Sequence, residues 1–440
     1  MKRALLLLAA CGSDPAPRTS PLWSDGTNLR DERGRVAVLR GVNARVAGVF
    51  DVALDGGRTA GEPVPPLTDA DCQRMHALGI DFLRLPINWS GYEPMPGAYV
   101  DGYLDAVDAA VQCAARAGVL VMIDLHQDAY SKEIGEDGAP LWAIQPAPTE
   151  LLQGPLTDLG ARRSSAQVTA AFATFFDQAD PAGLQAAFFA VLDRVAARWA
   201  DDPAVIGFEV LNEPPVGDAD VQAFDAAAAA HVRAAAPGKL VMFEPSATRN
   251  LFDYAPKPAA PFAVSDAVYA PHVYTYVFDA TDTRLKSISA SDLEASVSAA
   301  RDEATAWGTP LMIGEYGIGP TQVNADLWMG VSAQMHDKYL ASDAFWVWRE
   351  ISQGGWGLYD IDGTERPQVL AWLSRPHAAR IAGDHIVNAY DPTTRSLHLE
   401  ASGASQIYVP DGYAVTCNGS SVSGTGWVDV DCDGSIDIQR

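Results

Sequence analysis

Two glutamates stand where apolar runs end. Glu213 closes the run 208–211 in Asn212-Glu213-Pro214, and Glu315 closes 311–313 in Gly314-Glu315-Tyr316-Gly317. If the fold brings two such carboxyls to about 5–5.5 Å, they suit double displacement at a sugar's anomeric carbon. One carboxyl must be protonated to assist the leaving group, and the other must be ionised to attack. Arg84 is placed to keep Glu315 ionised, and Tyr274 to orient it by a hydrogen bond. Glu213, facing that negative charge, is then expected to have a raised pKa and to act as the acid. Asn212 is a candidate hydrogen-bond partner for a sugar 2-hydroxyl. The plainer alternative is that both glutamates belong to structural ion pairs.

The elements that would position these groups alternate in type. Apolar strands are predicted at 36–43, 81–86, 119–126, 205–211, 240–243, 267–270, 311–313 and 344–348. Helical spacing fills the intervals, at about 70–78, 103–117, 188–199, 221–235, 291–306 and 327–340, and a last helix begins at 368. Gly118 stands where the helix 103–117 needs a C-cap. Eight strands alternating with helices predict a closed parallel (β/α)8 TIM barrel. Polar residues gather where the apolar runs end: Arg40 and Asn43, Arg84 and Asn88, His126 and Asp128, Asn212 and Glu213, Glu244, His272 and Tyr274, Glu315, Trp348. Barrel enzymes build their sites at those strand ends, and the fourth and seventh strands face each other across the mouth. An open doubly wound sheet would bring a glycine-rich phosphate loop, and the chain has none. From about 377 the chain turns to short β-rich segments, which predict a small C-terminal antiparallel β-sandwich domain over 377–440 and a catalytic domain over 23–376.

The 440 residues carry 56 acids against 31 bases, a net charge of −25 that repels phosphate backbones and excludes nucleic acid as an expected partner. Lys2 and Arg3 precede a seven-residue apolar run, 4–10, far short of the ~20 residues a spanning helix needs. Residues 1–10 read as an export signal of lipoprotein type with Cys11 lipidated, and 11–22 as a flexible tether. The expected location is the cell envelope or beyond it, with membrane association through the lipid. Export permits disulfides. Cys417 and Cys432 flank a Gly/Ser-rich turn and suit a hairpin bridge, whereas Cys72 and Cys113 are as readily two buried thiols as a pair. No Cys/His cluster suggests a metal, and no cofactor is expected.

The order and spacing of Arg40-Gly41-Val42-Asn43, Arg84-Leu85-Pro86, Asn212-Glu213-Pro214, His272-Val273-Tyr274 and Glu315-Tyr316-Gly317 resemble glycoside hydrolase family 5 over about 30–375. Asp124-Leu125-His126-Gln127-Asp128-Ala129-Tyr130-Ser131, with Asp137-Gly138-Ala139-Pro140-Leu141-Trp142-Ala143, resembles its endoglycosylceramidase branch. Ile407-Tyr408-Val409-Pro410 fits the C-terminal domain of that branch. The resemblance implies a metal-free retaining enzyme that cleaves the β-linkage between glycan and ceramide. It implies Glu213 as acid/base, Glu315 as nucleophile, His126, Asp128 and Asn212 as sugar ligands, and Tyr274 as support for the nucleophile. It also implies a tryptophan on the eighth strand as the sugar's floor. Trp346 and Trp348 share the required parity, and Trp348, nearer the strand end, is preferred.

Other readings stand beside these. The same barrel could act on steryl or other lipid glucosides, serve as an endoglucanase, or be an inert carbohydrate-binding surface lipoprotein. Glu209 shares parity with Glu213 and is expected to pair with an arginine such as Arg84. Glu244 is expected in substrate binding or structural pairing, and His272 as a hydrogen-bonded wall residue. Lys132, Glu133 and Asp137 are expected to be solvated loop charges, and Trp142 to pack or to line a subsite. A monomer is expected. The run 429–434 is too poor a loop for calcium.

Overall fold

In a computed structural model of the chain, the described residues are 19–50, 64–152, 158–251, 265–279, 281–350 and 355–440. Cys11, the expected export signal and most of the tether lie outside them.

Three short strands come first, β1 (Leu22–Asp25), β2 (Asn28–Asp31) and β3 (Val36–Ala37). The barrel strands come next: β4 (Arg40–Asn43), β5 (Phe82–Ile87), β6 (Leu120–Leu125), β7 (Val205–Glu209), β8 (Leu240–Phe243), β9 (Ala267–Tyr269), β10 (Met312–Tyr316) and β11 (Ser342–Phe345). Their order is β10-β11-β4-β5-β6-β7-β8-β9, and bridges from Tyr269 to Leu311 and from Val273 to Tyr316 close the ring. The apolar runs form strands because both faces are covered, by barrel interior on one side and helices on the other. The helices stop where the sequence punctuates them: Gly118, at φ 76°, caps Asp101–Ala117, and Thr68 with Asp71 forms a capping box ahead of Asp69–Ala77.

The predicted first strand, 36–43, is divided. Val36 and Ala37 pair with β12 (His377–Ile381) outside the barrel, and only Arg40–Asn43 joins the ring. Arg40 therefore begins a strand, not ends one. Its guanidinium is buried against Asp337 and Asp343 as a strut at the N-terminal end, away from the mouth. Leu22 and Leu29 of the β1–β2 hairpin share an apolar cluster with Phe82, Met122, Ile206, Leu240, Met242 and Met312, which plugs that end of the barrel.

The C-terminal unit contains β12, β13 (Val387–Asp391), β14 (Ser396–Val409), β15 (Ala414–Cys417), β16 (Ser420–Val422) and β17 (Gly426–Gln439). It is antiparallel, as expected, and forms one nine-stranded hydrogen-bonded sheet together with β1–β3. The small residues 401–404 read as a break between two strands. They instead continue β14 in register with β17, Gly403 facing Cys432. Cys417 and Cys432 are bridged with Cα atoms 6.0 Å apart. Cys72 and Cys113 are bridged as well, tying Asp69–Ala77 to Asp101–Ala117. Among the described residues no helix is long and apolar enough to cross a membrane.

Candidate active site

Arg84, on β5 and fully buried, organises the barrel mouth. Its Nε and Nη2 donate to both oxygens of Glu209 at 2.9 and 2.7 Å, and its Nη1 donates to Glu315 Oε1 at 2.7 Å. Asn43 and Asn212 also accept from it, at 3.0 and 2.8 Å, and Asp124 lies 3.0 Å away. A buried guanidinium without such partners would cost several kcal/mol, so this set of acceptors is a condition of the fold. The expected Glu209–Arg84 pair is therefore present.

Glu315 is the fourth residue of β10. Tyr274 Oη donates to its Oε2 at 2.8 Å, and the Val273 amide donates to its carbonyl at 3.0 Å, fastening the end of β10 to the segment after β9. The preceding Gly314 is required by space, because a Cβ there would lie 3.1 Å from His272 Nε2. Glu213 comes after β7 in a left-handed backbone conformation, φ 40°. That costs a non-glycine residue of the order of 1–2 kcal/mol. Two contacts hold it there: its amide donates to Glu244 Oε1 at 3.2 Å, and its carbonyl accepts from Gln127 Nε2 at 3.1 Å.

His272 stands between the two carboxylates, its Nδ1 2.9 Å from Glu213 Oε1 and 3.4 Å from Glu315 Oε2. An oxygen of Glu213, one of Glu315 and a ring nitrogen of His272 all lie within 4.8 Å of one another. The separation fits a retaining pair and leaves no room for the extra water of an inverting one.

Charge is distributed differently from the sequence expectation. Burial opposes ionisation of Glu213, but the hydrogen bond and field of His272, with the field of Arg163, outweigh it and hold the carboxyl down to about 2. Burial raises the Glu315 carboxyl, against the attraction of His272 and Arg84. The expected elevation of Glu213 is thus absent from the unliganded site, because His272 and Arg163 were not counted among its neighbours. Burial and the adjacent Glu209 push the Glu244 carboxyl well up, against the attraction of Arg84. It accepts from Asn250 at 2.9 Å.

On the other side of the mouth, His126 Nδ1 is 2.6 Å from Asp124, and its Nε2 is buried with no hydrogen-bond partner among the described residues. Burial disfavours its charge, yet Asp124 and Asp137 raise it to about 9. Asp137 is itself buried and accepts from Asn88 at 2.8 Å, and Glu133 is buried too, so neither is a solvated loop charge. Asn212 makes one bond at each end of its side chain, from Arg84 and to the Gln127 carbonyl at 3.1 Å, which leaves one amide hydrogen to donate.

Trp346 stacks on His126, with centroids 5.7 Å apart and planes 15° apart. Trp348 instead turns its indole to Asp71 at 3.2 Å and packs edge-on against Tyr359. The preference for Trp348 is therefore corrected in favour of Trp346. Both amides still bond to barrel strands, that of Trp346 to Tyr316 and that of Trp348 to Asn43, but only the Trp346 ring faces His126, while that of Trp348 turns away to Asp71 and Tyr359. Trp142 packs on Trp89 and donates to the Glu93 carbonyl.

Sequence reasoning missed Arg163. It ends a short helix, Leu159–Arg163, within the insertion after β6, and its guanidinium pairs with Asp128 beside Glu213. Only the run of two arginines, Arg162-Arg163, inside an acidic chain could have flagged it. His126, Asp128 and Asp137 also converge within 4.8 Å, as do Glu209, Glu244 and His272. Asp128 is engaged by Arg163 and Glu209 by Arg84, so both groups spend ligand atoms on internal cations.

The description "Cellulase (glycosyl hydrolase family 5)" matches residues 42–352. Endoglycoceramidase I of Rhodococcus hoagii is 28% identical, over 96% of this chain and 88% of that protein. The crystal structure of an endogalactoceramidase superposes with a TM-score of 0.78 at 26% identity, covering 96% of this chain and all of that one (100%). Endo-glycoceramidase II from Rhodococcus sp. in complex with ganglioside GM3 shares the fold, with a TM-score of 0.77 at 23% identity over 94% of this chain and 100% of the other. The paired carboxylates thus sit in a known framework: the chain belongs to glycosyl hydrolase family 5 and within it is endoglycoceramidase-like.

Proposed function

We propose that this enzyme is a retaining endo-β-glycosidase that separates the glycan of a glycosphingolipid from its ceramide. Glu315 attacks the anomeric carbon as the ceramide oxygen departs with a proton from Glu213. Glu213, now a carboxylate, then takes a proton from water, which attacks the glycosyl–enzyme ester and frees the glycan and Glu315. Trp346 supplies an aromatic face to the sugar, and His126, Asp128 and Asn212 meet its hydroxyls.

The observation that carries the lipid part of this reading is an apolar ledge at the rim. Phe278 is 49% exposed and stacks on Trp356, and both touch Tyr274, the residue that holds the nucleophile. The adjoining segment presents Val323 and Leu327 to solvent as well. A polysaccharide cleft needs polar groups along that path, whereas an acyl chain needs none. Export and lipidation at Cys11 belong to the same reading, since an anchored enzyme meets an amphiphilic substrate at a surface.

The test is incubation with lactosylceramide in detergent, for the protein and for Glu315→Gln, with products separated by mass. Release of intact lactose and free ceramide by the first alone supports the reading. Cleavage of steryl or aryl glucosides with the sphingolipid untouched would move the substrate class elsewhere and leave the carboxylate roles standing.

A further inference from the structure

We propose that Arg163 is a positioning residue that ties Asp128 to Glu213 before substrate binds, and that the incoming sugar releases it. Its departure lets Glu213 take up the proton that it later delivers. This role rests on the assignment of Glu213 as acid/base.

The geometry is specific. Arg163 Nη2 pairs with Asp128 Oδ1 and lies 3.9 Å from Glu213 Oε2. The guanidinium thus bridges a carboxylate assigned to sugar binding and the carboxylate assigned to proton transfer. Both acceptors are largely covered, with side chains 11% and 14% exposed, while that of Arg163 is 37% exposed and has a path to solvent. A sugar hydroxyl that takes Asp128 Oδ1 competes with the guanidinium for that oxygen.

The charges around each group set the effect of that release. Glu213 is faced by His272 from the segment after β9, Glu315 from β10, Glu244 from the end of β8, Arg163 from the insertion, and more distantly His126. Arg163 is faced by Asp128, Glu213 and Glu136. Once Arg163 has gone, His272 still lowers the carboxyl, but one cation fewer opposes the negative charges of Glu315 and Asp128 in a site from which the sugar excludes water. Both effects favour the protonated acid. The proton comes from solvent and passes to the leaving oxygen, so the reaction's own balance is unchanged.

The alkaline limb of kcat/KM reports the acid in the free enzyme, whereas single-turnover glycosylation at saturating substrate reports it in the complex. An aryl β-lactoside with a poor leaving group serves as the soluble substrate. Removing a cation at this distance in Arg163→Gln is expected to move the kcat/KM limb up by about one pH unit. The saturating limb stays in place, and Arg163→Lys restores the original kcat/KM limb. Calorimetry of lactose binding to the protein, repeated in buffers of different ionisation enthalpy, should show proton uptake that falls in Arg163→Gln. Limbs that shift together, limbs that do not shift, or uptake unaffected by Arg163→Gln would overturn the proposal. If Glu213→Gln hydrolyses that lactoside at the unaltered rate, the acid/base assignment itself fails, which is a separate outcome.

Discussion

The two ends of the barrel are made from the same eight strands and are chemically opposite. At the N-terminal end, the β1–β2 hairpin seals a cluster of Phe82, Met122, Ile206, Leu240, Met242 and Met312, all fully or nearly fully buried. At the mouth, a few residues further along those strands, Arg84 is surrounded by Glu209, Glu315 and Asp124. The apolar end gains free energy of roughly 1.5–3 kcal/mol for each large side chain it hides. The charged end gains little of that kind, since a buried ion pair scarcely recovers its desolvation cost. One end holds the ring closed so that the other can keep charges dry.

This division of labour makes sharp demands. The largest effect belongs to the mouth: Glu315→Gln should lower turnover by more than about 10^3-fold while leaving thermal unfolding nearly unmoved or slightly raised. A large fall in melting temperature would mean that the mouth, too, is a stability element. At the other end Phe82→Ala should cost about 3–5 kcal/mol in urea unfolding, with kcat retained under native conditions. Loss of kcat in the folded variant would show that the two ends are not separable.

A third test joins the two by pH. His126 is raised to about 9 when folded, against about 6.5 for a free imidazole. Its contribution to stability is whole below 6.5 and is lost as the pH rises through 9. The stability gap between the protein and His126→Gln should therefore shrink by about 3 kcal/mol from pH 6 to pH 10 in urea titrations. A gap independent of pH would show that the imidazolium is not held by Asp124 and Asp137. The smallest effect expected is for Trp346→Phe, which keeps most of the buried ring and should raise KM for a soluble lactoside by up to about tenfold. The same substitution at Trp348 should act on stability instead.

Much of this was legible in the sequence, for a physical reason. Barrel strands buried on both faces are written as unbroken apolar runs, and the polar residue that ends each run marks the mouth. Glu213, Glu315, Arg84 and Tyr274 were visible in that way, and so was the Glu209 pair. What escaped depends on partners distant in the chain. Val36 and Ala37 look like the start of a barrel strand, and pairing with β2 on one side and with β12, far along the chain, on the other draws them out of it. Glu213 looked like a raised acid because His272 and Arg163 come from other loops, and no local spacing announces their approach. Trp346 and Trp348 have the same parity, and partners distant in the chain separate them, His126 beside one ring and Asp71 with Tyr359 beside the other.

The pairing of β3 with β12 bears on the order of assembly. The hairpin that plugs the barrel is held at its base by a strand made near the end of synthesis, Ala37 lying against Arg380. The outer edge of that floor stays unpaired until about the last seventh of the chain has emerged. A chain ending at Pro376 would carry every residue named in the chemistry and would still be expected to emerge with that edge unpaired, prone to aggregation.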